Sequence, residues 1–285
     1  MRFSVACAQI APVKADVSKN LDTIAEAVLQ ASSEGADLVV LPEASTSGYF
    51  LEGGVLESSL TVAELCGALD ARLAALTRPV DVLVGFYERD LGNLHNACAY
   101  IAFDEKKSTL IGVYRKFFLP TYGVFDEERF VNRGRDLGVF DTRLGKIGVL
   151  VCEDVWHSVM PTLTALSGAQ VILVPAASPG RGFAGDTPEN LDRYKRLLRG
   201  VSEEHGVWCV NCQLCGFEGG KGFVGGSMVI DPFGKVVAQS PILEPHILIA
   251  QVDLEDVAVA RAQSPLLADL SSVWGDIRRM VATTE

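Results

Sequence analysis

Gly145-Lys-Ile-Gly-Val-Leu-Val-Cys152-Glu-Asp-Val-Trp156 is the stretch on which the reading of this chain turns. The run from Ile147 to Val151 is short and apolar, as in a buried strand, and it stops at a cysteine followed by two acids. A helix-like segment begins soon after, at about Pro161 to Ser167, and closes at Gly168. A cysteine at a strand-to-helix turn stands on a rigid element at the sheet edge, where a substrate can reach it. Two other strand-like runs deliver charge in the same way. Leu38-Val-Val-Leu-Pro42 ends at Glu43, and Ile111-Gly-Val-Tyr-Arg115 ends at Lys116. A Glu, a Lys and a Cys at three strand ends point to an enzyme with a thiol nucleophile.

Outward from that stretch, strand and helix patterns alternate. Arg2 to Ile10 reads as the first strand, and a helix follows from an N-cap at Ser18, with Leu21, Ile24, Val28 and Ala31 on one face. Ala36 to Leu41 leads to Glu43. Thr61 to Leu76 has helical spacing, Val80 to Tyr87 is a strand, and Asn96–Phe103 pairs with Thr109–Tyr114 across the turn Asp104 to Lys107. Val139-Phe140 pairs with Lys146–Val151, and Val171–Val174 is a short buried strand. Pro188 to His205 is a helix with Leu191, Tyr194, Leu197, Leu198 and Val201 as its apolar stripe. Val207–Gln213, a hairpin around Asp231-Pro-Phe-Gly234 and His246–Val252 complete the strands. Early βα alternation and later hairpins imply an α/β protein with mixed sheets covered by helices.

At 285 residues, a prior of about 150 per domain suggests two domains. No linker or charge run breaks the alternation, so a single domain over 1–285 is expected, with a helical segment from about 254 to 285. No apolar run approaches the roughly 20 residues of a membrane span, and the N-terminus lacks a signal-peptide layout, so a cytoplasmic location is expected. A net charge of -11 with no basic stripe argues against non-specific binding to nucleic acid or anionic lipid.

Seven cysteines, an odd number, argue against a disulfide framework. Cys209, Cys212 and Cys215 invite a metal, cluster or redox reading. Strand alternation instead turns Cys209 and Cys212 to opposite faces, and no second pair lies at zinc-site spacing.

A thiol attacking an amide carbon needs a base. None of the four histidines follows a strand in an obvious catalytic position, and His205 at a helix end suits a charge–dipole role. Glu43 is the better base, since a carboxylate shielded from water can exchange protons with a thiol near neutral pH. Lys116 and the backbone N–H after Cys152 would take the oxyanion. Asp154 reads as a cap on the turn. Tyr122, Phe125 and Trp156 either line a pocket or are plain packing.

The set Leu41-Pro-Glu43, Tyr114-Arg-Lys116 and Val151-Cys152-Glu-Asp154, in that order, resembles the nitrilase superfamily of carbon–nitrogen hydrolases. The resemblance implies a four-layer α-β-β-α sandwich, a homodimer or higher homo-oligomer built through helices (the 254–285 segment among them), and a Glu–Lys–Cys triad with a thioester intermediate. It implies no cofactor and no metal. A second glutamate often follows the lysine in such members, and Glu127 fits that place, with Glu128 as the fallback. Leu119 to Arg129, Cys152 to Trp156, Ala177-Ser-Pro179 and Gly225-Gly-Ser227 are similar to the glutaminase domain of glutamine-dependent NAD synthetase. By that resemblance Glu153 and Ser178 would hold the amino and carboxylate groups of a substrate; no arginine lines up cleanly as a carboxylate clamp, Arg181 being the candidate, and Tyr122 and Trp156 are the candidate pocket aromatics. The chain ends at Glu285, so the ATP-dependent domain of that branch is expected to be missing. The expected activity is hydrolysis of a small linear amide, releasing ammonia or an amine. The alternatives are an ammonia-supplying subunit of a separate synthetase, or a nitrilase or carbamoylase. The Glu-Asp-x-Trp run favours an amidase over a true nitrilase.

Overall fold

The computed structural model describes residues 1–104, 107–184 and 187–284. Two six-stranded sheets form its centre. In space the first runs His246–Asp253, Arg2–Gln9, Leu38–Val40, Val80–Asp90, Asn93–Phe103 and Ser108–Arg115. The second runs Val236–Gln239, Met228–Ile230, Trp208–Gln213, Val171–Ala176, Gly145–Val149 and Gly138–Thr142. In both, three parallel strands occupy the middle and antiparallel strands flank them.

Side-chain alternation builds the layers. Val5, Cys7, Val40, Leu83 and Tyr100 point to one side of the first sheet and share a core with Val149 and Val174 of the second. Their neighbours Ala6, Ala8, Val39, Val82 and Ala99 point to the other side, against Leu21, Ile24 and Val28 of the helix Val17–Ser33 and Leu65 and Leu69 of the helix Val62–Arg72. The helices Val159–Leu166 and Glu189–His205 cover the outer face of the second sheet with Met160, Leu198 and Val201. The result is the expected α-β-β-α sandwich. Leu254–Gln263 and Leu266–Ala282 are the last helices, and the final one buries none of its residues.

Several local expectations need correction. The first helix is capped by Asp16, whose Oδ1 accepts the Lys19 N–H at 3.1 Å, and not by Ser18. The second stops at Arg72 rather than Leu76; Thr61 and Glu64 fasten its start as a capping box. A hairpin of Cys215–Glu218 and Lys221–Val224 lies where no strands were expected. Its Gly219-Gly220 turn has positive φ at both glycines, and four-residue strands are too short for a periodic signal. His205 is buried at the end of the helix Glu189–His205, and burial lowers its pKa, which disfavours the charged form that a charge–dipole role needs. Of the turn Asp104 to Lys107, residues 105 and 106 lie outside the described residues.

One close approach places the first strand-end acid. A Cβ built on Gly85 would lie 2.3 Å from the Pro42 carbonyl oxygen and 2.9 Å from the Glu43 Cα. Only glycine lets the strand Val80–Asp90 press against the turn that carries Glu43. Gly85→Ala is expected to lose about 1–3 kcal/mol of stability from overpacking. Gly67→Ala, in an open helical position with nothing within 4 Å, is expected to gain about 0.5–1 kcal/mol. Urea unfolding of the two variants checks this, and equal effects would contradict the close packing.

Candidate active site

Three strand ends converge. Glu43 follows the strand Leu38–Val40 on a turn in which Ala44 has φ +52°. Gly85 O accepts the Ser45 hydroxyl at 2.8 Å and fixes that turn. Lys116 follows Ser108–Arg115, its N–H bound to Asn96 O at 2.8 Å and its carbonyl to the Gly134 N–H at 2.7 Å. Cys152 opens a 3₁₀ turn, Cys152–Trp156, with φ +51°. A non-glycine residue in the left-handed region is a sharp elbow that turns its side chain off the sheet end, and such strain gathers at functional positions.

The Lys116 ammonium is fully buried between two carboxylates. Its Nζ donates to Glu43 Oε1 at 2.7 Å and to Glu127 Oε1 at 2.8 Å. Asn96 Nδ2 donates to the same two oxygens at 2.7 and 3.3 Å. The other oxygen of Glu43 accepts the Ala177 N–H at 2.8 Å, tying the first sheet's acid to the end of Val171–Ala176 in the second. Burial by itself lowers the lysine pKa, but Glu127 and Glu43 outweigh it, so the group is held charged. Burial and the Glu43 charge push Glu127 up to about 7 against the pull of Lys116. Glu127, not Glu128, is the second glutamate at this centre.

Cys152 retains 8% exposure, and its thiol is pushed up by burial and then by Glu43. Lys116 and a hydrogen bond with Tyr194 act the other way; the Sγ–hydroxyl distance is 3.2 Å. The resting group is therefore a thiol. Asp154 holds the elbow against the lysine segment. One of its oxygens accepts the Phe118 N–H at 2.8 Å, and the other the Val151 N–H at 3.1 Å and the Tyr114 hydroxyl at 2.8 Å. Burial raises Asp154 to about 6 despite these donors.

A cavity of about 470 Å³ lies beside the elbow, lined by Tyr122, Glu153, Trp156, His157, Arg181, Glu189, Asn190 and Arg193. Four of the five expected binding residues are on this wall. The Tyr122 hydroxyl donates to Glu153 Oε2 at 2.8 Å, and the Arg181 guanidinium lies 5.8 Å from the Tyr122 ring centre and 5.1 Å from that of Phe125. Ser178 is buried and does not line this cavity; its hydroxyl accepts from Asn190 Nδ2, a lining residue, at 2.8 Å. Of the loop from Gly180 to Thr187, residues 185 and 186 lie outside the described residues. A smaller pocket of about 80 Å³ borders Glu127 and is walled by Tyr49, Phe50 and Phe125.

Sequence reasoning missed Asn96, Asn190, Arg193 and Tyr194. The last three stand at i, i+3 and i+4 on one face of the helix Glu189–His205, and of them only Tyr194 belongs to the apolar stripe read from the sequence. Cys209 lies under the helix beside Ser202, and Cys212 faces Cys7 of the other sheet, so the two do point apart. Among the described residues no group of three or more His, Cys, Asp or Glu could hold a metal ion, and no helix is long and apolar enough to cross a membrane.

Residues 4–262 match the carbon–nitrogen hydrolase family. The chain is 34% identical over 257 residues to a glutamine-dependent NAD(+) synthetase of Thermotoga maritima, covering 90% of this chain and 43% of that one. It thus spans less than half of that relative's length. Among solved structures, a carbon–nitrogen hydrolase of Helicobacter pylori superposes with a TM-score of 0.82 at 26% identity, covering 94% of this chain and 95% of the other. An amidase of a Nesterenkonia species, solved with acrylamide added at its active-site cysteine, gives 0.71 at 26% identity over 92% and 97% of the two chains. With its sandwich, its three strand-end residues and a family match over most of its length, the chain belongs to the carbon–nitrogen hydrolases.

Proposed function

We propose that the protein is a cysteine-dependent amidase acting on a small linear amide through a thioester. The observation that carries this reading is the buried Lys116 ammonium, held by Glu43 and Glu127, at the elbow of Cys152. Glu43 takes the thiol proton as Sγ attacks the amide carbon. Lysine has three N–H donors, and two are spent on Glu43 and Glu127, so one remains for the oxyanion. The Glu153 N–H, in the first turn after Cys152 where helical carbonyl partners are lacking, is a second donor. The proton held by Glu43 passes to the leaving nitrogen as the C–N bond breaks. Water then attacks the thioester, giving its proton to Glu43; the acid leaves, and Sγ regains the proton.

A second reading, glutamine hydrolysis that feeds ammonia to a separate synthetase, is favoured by the resemblance to NAD synthetase and by the cavity wall. There Glu153 would meet an ammonium group and Arg181 a carboxylate, with Tyr122 and Trp156 as the apolar sides and Ser178 bracing Asn190. The exposed Leu266, Val273 and Met280 of the final helix favour its use as the contact between copies of a dimer.

Ammonia release from glutamine, asparagine, ω-amides, carbamoyl amines and short nitriles should identify at least one amide substrate, with turnover lost in Cys152→Ala. Silence across the amides with a reactive Cys152 would favour the partner-dependent reading, and nitrile turnover alone would overturn the amidase. Lys116→Ala should lower kcat by about 10²–10³, the cost of one oxyanion donor. Glu127 holds its proton to about pH 7 in the fold but only to 4.5 when unfolded, so the native state binds more protons in between. The stability this group contributes is full below 4.5 and lost as pH rises through 7. Melting temperatures across that window should fall for the native protein relative to Glu127→Gln, and parallel profiles would contradict the shift.

A further inference from the structure

We propose that Tyr194 is a catalytic residue of this centre, its hydroxyl serving as the fixed hydrogen-bond donor to the Cys152 sulfur whenever that sulfur carries negative charge. The Tyr194 hydroxyl lies 3.2 Å from Sγ. Its side chain is 1% exposed and belongs to the helix Glu189–His205, a separate element from those that carry Glu43, Lys116 and Cys152.

The electrostatics of the thiol make such a donor necessary. Burial, Glu43 and Glu127 oppose the thiolate, and Lys116 and the Tyr194 hydroxyl favour it. Lys116 already has two of its three protons committed to carboxylates, and the third is wanted by the substrate oxygen. A donor aimed at the sulfur itself leaves the lysine free for the oxyanion. A phenol suits the task because burial and the neighbouring Cys152 raise its pKa well above the ordinary value. It therefore keeps its proton and donates without transferring it. The sulfur is negative twice per turnover, once as Glu43 takes the thiol proton and once when the second tetrahedral intermediate collapses and the C–S bond breaks. In both steps the mobile proton moves between Glu43 and sulfur or nitrogen, and Tyr194 changes only in hydrogen-bond strength.

The ring is locked in place for this purpose. Trp156 meets Tyr194 edge-on, with ring centres 5.3 Å apart and planes at 80°, and the Arg193 guanidinium covers Trp156 at 4.2 Å. Trp156 and Arg193 also line the larger cavity, so a substrate seated there presses on the packing that aims the hydroxyl.

The test is the pH dependence of Cys152 alkylation by iodoacetamide in the full chain, read by peptide mass so that the half-exposed Cys66 is scored separately. Tyr194→Phe keeps the ring and removes only the hydroxyl. The midpoint of the Cys152 profile should rise by about one pH unit, with a roughly tenfold slower reaction below it. On an amide that is turned over, kcat should fall tenfold or more with KM nearly unchanged. An unchanged midpoint would overturn the proposal and leave Tyr194 as packing; a lowered midpoint would overturn it by making the tyrosine oxygen the acceptor. A melting curve of the variant separates either result from misfolding, and Tyr194→Leu, which is apolar and has no donor, must give the same upward shift if Phe does not fold. The proposal rests on the thiol reading of the site, but alkylation needs no substrate. Failure to find an amide therefore counts against the amidase and leaves this result standing.

Discussion

A lysine ammonium wholly out of water is the constraint on which the rest of this molecule depends. Burying an unpaired charge costs several kcal/mol even after relaxation, so Lys116 is tolerable only because Glu43 and Glu127 reach it at 2.7 and 2.8 Å. Burial first, and then the charge of the neighbouring Glu43, lets Glu127 keep its proton to about pH 7 against the pull of Lys116. Asn96 donates to both acids and holds them on either side of the nitrogen. Burial, and then the nearby Glu43, likewise keep the resting sulfur a thiol until a substrate carbonyl draws on the lysine.

That centre could not be assembled from one sheet. Glu43 and Lys116 end strands of the first, Cys152 and Ala177 follow strands of the second, and each contact between them is made by a backbone or side-chain group of defined reach. Asp154 binds backbone N–H groups on both sides of the gap, at Phe118 and Val151, and Ala177 N–H closes it at Glu43. Gly85 removes the one side chain that would force the Glu43 turn away from its neighbouring strand. Glu218 does a comparable service for the next loop by accepting the Tyr49 and Phe50 N–H groups at 2.8 and 2.9 Å.

The layered fold and its central residues were legible because they carry strong signals: β-branched runs of four to six residues, each ending in a charged or nucleophilic group. Glu43, Lys116 and Cys152 come together from their strand ends, and Glu127, indicated only by the family resemblance, joins them at the lysine. What could not be read was contact across layers. Asn96 sits inside a strand pattern with nothing to mark its amide as the bridge between two acids. Tyr194 falls on an apolar helical stripe that reads as core, yet its hydroxyl end meets the sulfur. Ser178, assigned to the pocket only by resemblance, is buried and accepts from Asn190, which itself lines the cavity. The Cys215–Val224 hairpin was missed because its strands are short and its turn glycines look like loop.

The central claim is that the sulfur of Cys152 becomes covalently joined to the acyl group of an amide during turnover. Acid-quenching the enzyme with a saturating amide within the first turnovers, followed by peptide mass mapping, tests this directly. The account predicts an acyl group, of the mass of the amide less ammonia or amine, on the peptide that contains Cys152. Steady turnover with that peptide unmodified, or with the acyl group on another side chain, would contradict it.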